Sequence, residues 1–391
     1  MPQNPIPKIK GQKVETLLEK IGIRYFSKLS KQLDYDATIH LKNIPSDKVL
    51  QVVANNITLN TVIIAFLVGA LTTVPAVLFE TYYRNSFATL HYYLWLSLIT
   101  VVLLVVEVGI LYWLGMRSTY TLAQITGYEG ERENELPPEY DIKNMMVRSA
   151  LELSDPTIEY LGINPHKYVS KKWIFITAIL YKAKIVLSSI LIKFILQKIA
   201  SRYGVRMGFV WVSIPVTAIW DAIVMYHVIK DARLRLFGYH LSKYIIDEVL
   251  TDEVMSSYSP HTQEGAIRAV STMMVLAKSY HPNNIILLIR LSQNFDISEA
   301  KDYDELDKFL QHLQNSSKEE KMFLKTLVSI TAVFDGKLTK TEKTALVQIF
   351  DTEEQEYLNF TKKLQFLLLN NRLHESARLC KEKILLSSQV H

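Results

Sequence analysis

The chain has 391 residues, a formal net charge of +5 from 44 Lys and Arg against 39 Asp and Glu, and a mean hydropathy of +0.10. With 13 Gly and 12 Pro it is neither collagen-like nor of low complexity. The one cysteine, Cys380, excludes an internal disulfide and a Cys-rich zinc site, and no phosphate-binding glycine loop, HExxH, GxSxG or paired CxxC occurs.

Residues 14–33 come first, placing Val14, Leu17, Leu18, Ile21, Tyr25 and Leu29 at helical spacing among Lys13, Lys20, Arg24, Lys28 and Lys31. Two readings stand side by side: a basic amphipathic helix on an anionic inner membrane surface, or a helix packed on the cytoplasmic part.

Four apolar stretches follow, each with the roughly 20 residues a membrane-spanning helix needs. Thr61–Phe79 carries no charge, and Tyr92–Trp113 carries only Glu107. Both are apolar on every face, with Tyr82, Tyr83, Tyr92, Tyr93, Trp95, Tyr112 and Trp113 at their ends, as at a lipid–water boundary. The third, Trp173–Leu196, is broken by Lys182, Lys184 and Lys193, and the fourth, Gly208–Val228, by Asp221. The expectation is four transmembrane helices in two hairpins, 61–116 and 173–228.

Nine lysines and arginines precede Thr61, whereas the turn Glu80–His91 holds only Arg84. The positive-inside rule places the N-terminus, the connection 117–172 and everything after Lys230 in the cytoplasm. Lys198, Arg202 and Arg206, on the outer side of the second hairpin, run against this assignment. Within the connection, 128–141 is an acidic loop with Pro137 and Pro138, and a short helix covers 142–153. Leu234, Phe237, Leu241, Tyr244 and Ile245 predict a helix carrying the fourth stretch outward through 229–261.

From 262 to 391 the pattern is helical throughout, with helices expected at 263–280, 283–294, 302–314, 318–333, 340–349, 353–369 and 372–386. Residues 267–295 align without gaps on 322–350, a pattern that either a duplication or any two amphipathic helix pairs produce.

The stretch KMFLKTLVSITAVFDGKLTKTEKTALVQIF, 321–350, resembles the helix–DG–turn–helix signature of the tellurite-resistance TerB-like family. Membrane-anchored DnaJ-like co-chaperones carry a similar helical domain. The matching elements are an apolar helix ending in Asp335-Gly336, a short turn, and Glu342 opening the next helix; Phe334 departs from the small or acidic residue common before the DG. The resemblance implies an acidic site for a divalent cation, with Asp335 and Glu342 as oxygen ligands. Against it, Gly336 suits a helix C-terminus, and Thr339 with Glu342 forms a capping box. Two carboxylates are also few for a calcium ion, which takes six to eight oxygens. Capping is the preferred reading, and no other cofactor is expected.

The second constellation is intramembrane. On a helical projection Lys182, Ser189 and Lys193 form one stripe, Ser213, Thr217 and Asp221 another, and Thr100 and Glu107 share a face. Ala65, Gly69 and Thr73 make a ladder of small residues that permits close helix approach. Counted from the segment ends, Glu107 and Asp221 lie in the cytoplasmic half, where Lys182 is expected to pair with one of them. A salt bridge fixing helix order is preferred over an ion, proton or lipid path.

The fold class expected is all-α: a four-helix transmembrane bundle with a cytoplasmic C-terminal helical domain, set in the inner (plasma) membrane with both termini cytoplasmic. No catalytic motif points to an enzyme. Residues 251–391 carry 17 basic and 19 acidic side chains, which leaves no footprint for nucleic acid. The expected role is a membrane-anchored interaction or stress-response scaffold with a cytoplasmic protein partner. The alternative is a small channel, transporter or lipid-handling protein, and a homo-oligomer stays open.

Overall fold

The computed structural model describes residues 10–11, 17–30, 44–84, 86–128, 136–137, 140–153, 155–156, 158–166, 206–298 and 301–388. The third apolar stretch, with Lys182, Lys184 and Lys193, lies outside the described residues. Among these residues the fold is helical, apart from a two-residue antiparallel pairing of Lys10–Gly11 with Ile158–Glu159 and one isolated bridge.

Among the described residues three helices are long and apolar enough to cross a membrane: α2 (Asp47–Tyr83), α3 (Thr89–Ile125) and α5 (Arg206–Tyr244), which continues through a π-helical turn, Ile245–Val249. At 37 to 39 residues each they are about 55–58 Å long at 1.5 Å per residue. Roughly 30 Å suffices to span hydrocarbon, so all three project well past their apolar stretches on one side. The outward faces of those stretches are bare apolar side chains, among them Leu67, Leu71, Leu98, Val102, Val105 and Ile219. No water-soluble core explains so wide an exposed apolar surface.

Around the projecting ends pack α1 (Leu17–Ser30), α4 (Ile142–Ala150) and the C-terminal helices. Helix α1 packs one face on its neighbours: Phe26 is fully buried, Glu19 pairs with Arg148 of α4 at 2.5 Å, and the Tyr120 hydroxyl of α3 donates to the Leu29 carbonyl. Its cations Lys20, Arg24 and Lys28 remain on the exposed face. Gly115 of α3 lets the end of α4 close in, since a Cβ there would stand 3.2 Å from the Ala150 carbonyl.

The C-terminal unit follows a short α6 (Asp252–Ser257). It comprises α7 (Pro260–Ala277), α8 (Pro282–Asn294), α9 (Leu306–Gln314), α10 (Lys318–Val333), α11 (Lys340–Phe350), α12 (Glu354–Leu369) and α13 (Leu373–Ser388). Local chemistry sets the ends. Ser259 accepts from the Thr262 amide with Pro260 in the first turn, starting α7 earlier than periodicity alone predicts. Lys278, left-handed at φ 53°, stops it at Ala277 rather than 280. A reciprocal box between Ser317 and Glu320 starts α10.

This unit is fastened to the long helices by three turns that converge on one stretch of α5. Asn283, at the start of α8, donates to the Leu234 carbonyl at 3.0 Å and the Phe334 carbonyl at 3.1 Å. Gly238 makes room for it, because a Cβ there would lie 2.0 Å from Asn283 Nδ2. The turn after α10 lays Gly336 (φ +73°) against Leu234. The turn between α12 and α13 meets Arg233, whose guanidinium donates to Asn371 Oδ1, Thr58 Oγ1 and Asn55 Oδ1, each at 2.9 Å. Asp47, in the first turn of α2, caps α13 from outside it, its two oxygens accepting from the His374 and Glu375 amides at 2.9 Å. The apolar core runs unbroken from Ile44 and Leu50 through α5 to Ile384.

Candidate functional site

Two groups of residues stand out, one inside the apolar band and one at the DG turn. Along α2 beyond Leu50 the buried residues are Ala54, Thr58, Thr61, Ala65, Gly69, Thr72, Thr73 and Val77, a mainly small-and-hydroxyl face at helical spacing. Ala65, Gly69 and Thr73 are thus the residues over which neighbouring helices approach. Against Gly69 lies Asp221 of α5: a Cβ on residue 69 would stand 2.5 Å from Asp221 Oδ2 and 3.0 Å from both Ala218 Cα and the Thr217 carbonyl. Three residues on, the Thr72 hydroxyl donates to Glu107 Oε2 of α3 at 2.9 Å. Both carboxylates are 2 % exposed.

Glu107 and Asp221 therefore converge from two helices on a single turn of α2. The helix register places that turn deeper than a count from the segment ends. Thr61 bonds Ser118 at 2.7 Å, so α2 and α3 pair antiparallel with Arg117, not Trp113, level with the start of the first apolar stretch. Leu114, Gly115 and Met116 prolong the second stretch, and the Arg117 guanidinium stands 5.4 Å over the Trp113 ring at its true end. Gly69 and Thr72 lie about 12 and 16 Å beyond Thr61 along the axis. Glu107 and Asp221 consequently sit near the middle of the apolar band rather than in one half of it.

Thr72 has a single proton, shared between Glu107 and the Val68 carbonyl at 2.9 Å. An ionised Glu107 accepts that proton, and a protonated one donates back to the hydroxyl. Thr100 instead bonds its own helix, at the Leu96 carbonyl.

At the DG turn the reciprocal box is complete. Thr339 Oγ1 accepts from the Glu342 amide at 3.2 Å, and Glu342 Oε2 accepts from the Thr339 amide at 2.7 Å. Asp335 Oδ1 accepts from the Lys337 amide at 2.9 Å. Both carboxylates are thus engaged by backbone donors, and among the described residues no three His, Cys, Asp or Glu side chains gather as a metal would require. Glu342 is 1 % exposed, and burial, with Asp335 adding to it, pushes its carboxyl up to about 7 despite the two capping bonds. Burial also raises Asp335.

The sequence gives no local sign of a third polar group at the junction of α4, α5 and α8. Arg235 forms ion pairs with Asp155 and Asp231. Beside it His281 is buried, and neither ring nitrogen has a hydrogen-bond partner among the described residues. Burial and the Arg235 charge push that imidazole down to about 4, so it is neutral at physiological pH. Comparison with known protein families, curated proteins and solved structures returns no match for the chain.

Thr72→Val is expected to leave a buried carboxylate without its donor, lowering stability in detergent by about 1–3 kcal/mol. Adding Glu107→Leu should recover part of that loss, because the unpartnered polar group disappears; thermal unfolding of the two variants decides, and additive losses would separate the two groups. A pH series probes Glu342. Its folded-state value lies above the ordinary 4.5, so its contribution is full below about 4.5 and is lost as pH rises through about 7. His281 acts in the opposite sense, its contribution being full above 6.5 and lost as pH falls through about 4. Glu342→Gln keeps the cap and isolates the first effect: relative to wild type it should gain stability progressively from pH 4.5 to 7. Parallel profiles would contradict the assignment.

Proposed function

We propose that the chain is a multi-pass protein of the inner (plasma) membrane, with four transmembrane helices and both termini in the cytoplasm. Its bundle acts as a rigid mount, presenting the C-terminal helical unit to a cytoplasmic protein partner as an interaction or stress-response scaffold. The observation that carries this reading is the continuity of α5. One helix runs without a break from the apolar stretch beginning at Gly208 to Tyr244, and the turns of the C-terminal unit close around residues 233–238 of it. The Asp47 cap on α13 adds a second tie from α2. A loosely tethered domain would need neither. The TerB-like resemblance of 321–350 belongs to this proposal as the part that meets the partner, with the DG turn serving as a cap.

The second reading, a proton or cation path, is favoured by one observation: two buried carboxylates converge on the Gly69–Thr73 turn midway along the apolar band. Glu107→Gln and Asp221→Asn distinguish the two, because a path loses flux in either variant while partner capture by the full-length chain persists.

Topology tests the first reading. Reporter fusions at residue 40, at residue 150 and after residue 391 should all report cytoplasm. Export of the fusion at 150 with retention of that at 40 would break the two-hairpin arrangement.

A further inference from the structure

The turn between α12 and α13 is held unusually close to the end of the apolar band. Asn371 receives the Arg233 Nε–H, and the same guanidinium bonds Thr58 and Asn55 of α2. Those two residues precede Thr61 by about 4.5 and 9 Å along the helix axis, and Arg233 follows Val228 by about 7.5 Å. One guanidinium thus sets Asn371 at a level on which both helices agree, while Asp47, about 21 Å before Thr61, holds the first turn of α13 farther out. The polar layer of a bilayer, between hydrocarbon and bulk water, is roughly 5–8 Å thick on each side. Given the membrane reading above, on which this inference rests, the Asn371 end of the turn, which continues directly from α12, lies within that layer.

What the turn carries suits the position. Phe366, on the last turns of α12, is 56 % exposed, and among the described C-terminal helices it is the one exposed aromatic side chain. The Arg372 guanidinium stands 5.9 Å over its ring, and Lys362 and Lys363, one turn earlier on the same face of α12, are exposed. The acidic neighbours are Glu375, engaged by Arg372 at 3.3 Å, and Asp47, engaged by the His374 and Glu375 amides. An exposed phenyl ring costs free energy in water and gains it at the edge of the acyl chains. Two lysines beside it complement lipid phosphates at an anionic surface.

We propose that the α12–α13 turn is a lipid-binding contact, with Phe366 inserted at the headgroup–acyl boundary and Lys362 and Lys363 on anionic phospholipid headgroups. The C-terminal unit is then seated on the inner leaflet as well as on α5. The lipid contact fixes the orientation of its remaining faces toward the cytoplasm.

Cys380 is the chain's one cysteine and is buried, so a single introduced thiol can be labelled selectively. The full-length chain carrying Phe366→Cys with an environment-sensitive fluorophore is placed in nanodiscs of phosphatidylcholine with and without phosphatidylglycerol. Val102→Cys, on the exposed apolar face of α3, serves as the reference. The expected result is a blue-shifted emission at 366, greater with phosphatidylglycerol, that shallow brominated lipids quench. Lys362→Glu with Lys363→Glu should abolish the phosphatidylglycerol dependence. Lipid quenching at 102 with a water-like emission at 366 would overturn this inference and leave the membrane reading intact. A shift at 366 that no lipid quenches would overturn it in favour of a second copy covering the turn. Absence of lipid quenching at 102 would remove the membrane reading and this inference together.

Discussion

The long helices depend on a contact in which no side chain stands between two backbones. At Gly69, α2 and α5 come so near that even a methyl group would press on the Ala218 Cα, the Thr217 carbonyl and the Asp221 carboxylate. In a medium as apolar as the side chains themselves, burial drives little helix association. Close packing and hydrogen bonds must supply it, and both are concentrated on this face of α2. Ala65, Gly69 and Thr73 give the approach, and Thr61 and Thr72 supply hydroxyls to Ser118 and Glu107. The register set there propagates down the helices. With Gly69 opposite Ala218, Thr58 is brought to Arg233, and Arg233 in turn reaches Asn371 of the C-terminal unit.

Placing two carboxylates in such a seam has a cost, and hydroxyls and backbone dipoles offset part of it. Their presence serves the mount in one way: a polar group that finds its partner in a single register penalises every other sliding position of the helices. The same groups would serve a proton path in another way. Mutual neutralisation by Lys182 falls outside the described residues, whereas the Thr72–Glu107 bond and the Asp221–Gly69 contact are built into the three helices that are described.

Much of this was legible in the sequence where the signal is local. The helices from 260 to 388 follow the apolar periodicity, and the start of α11 follows Thr339 with Glu342, because capping acts across three residues; the Ser259-Pro260 start of α7 falls three residues before the expected 263. Ala65, Gly69 and Thr73 were visible as a ladder because small residues at i, i+4 and i+8 share a helix face. The depth of Glu107 was not legible. Tyr112 and Trp113 mimic a boundary, and it is the Thr61–Ser118 pairing that sets the level of Glu107 against α2. Nor were the ties of Asp47 to α13 or of Arg233 to Asn371, which join residues 327 and 138 positions apart in the chain and leave no mark on local pattern. Arg235 with Asp155, and His281 beside them, are hidden for the same reason.

The seam at Gly69 admits a direct measurement, the thermal stability of Gly69→Ala in detergent compared in the wild-type and Asp221→Ala backgrounds. If α2 and α5 touch backbone to backbone, the added methyl group should lower the melting temperature by several degrees, as expected for a ~1–3 kcal/mol overpacking penalty. Much of that loss should persist without the Asp221 carboxylate, because Ala218 and Thr217 remain in the way. A melting temperature that is unchanged, or raised as for an ordinary helical glycine replaced by alanine, would contradict the contact and the register built on it.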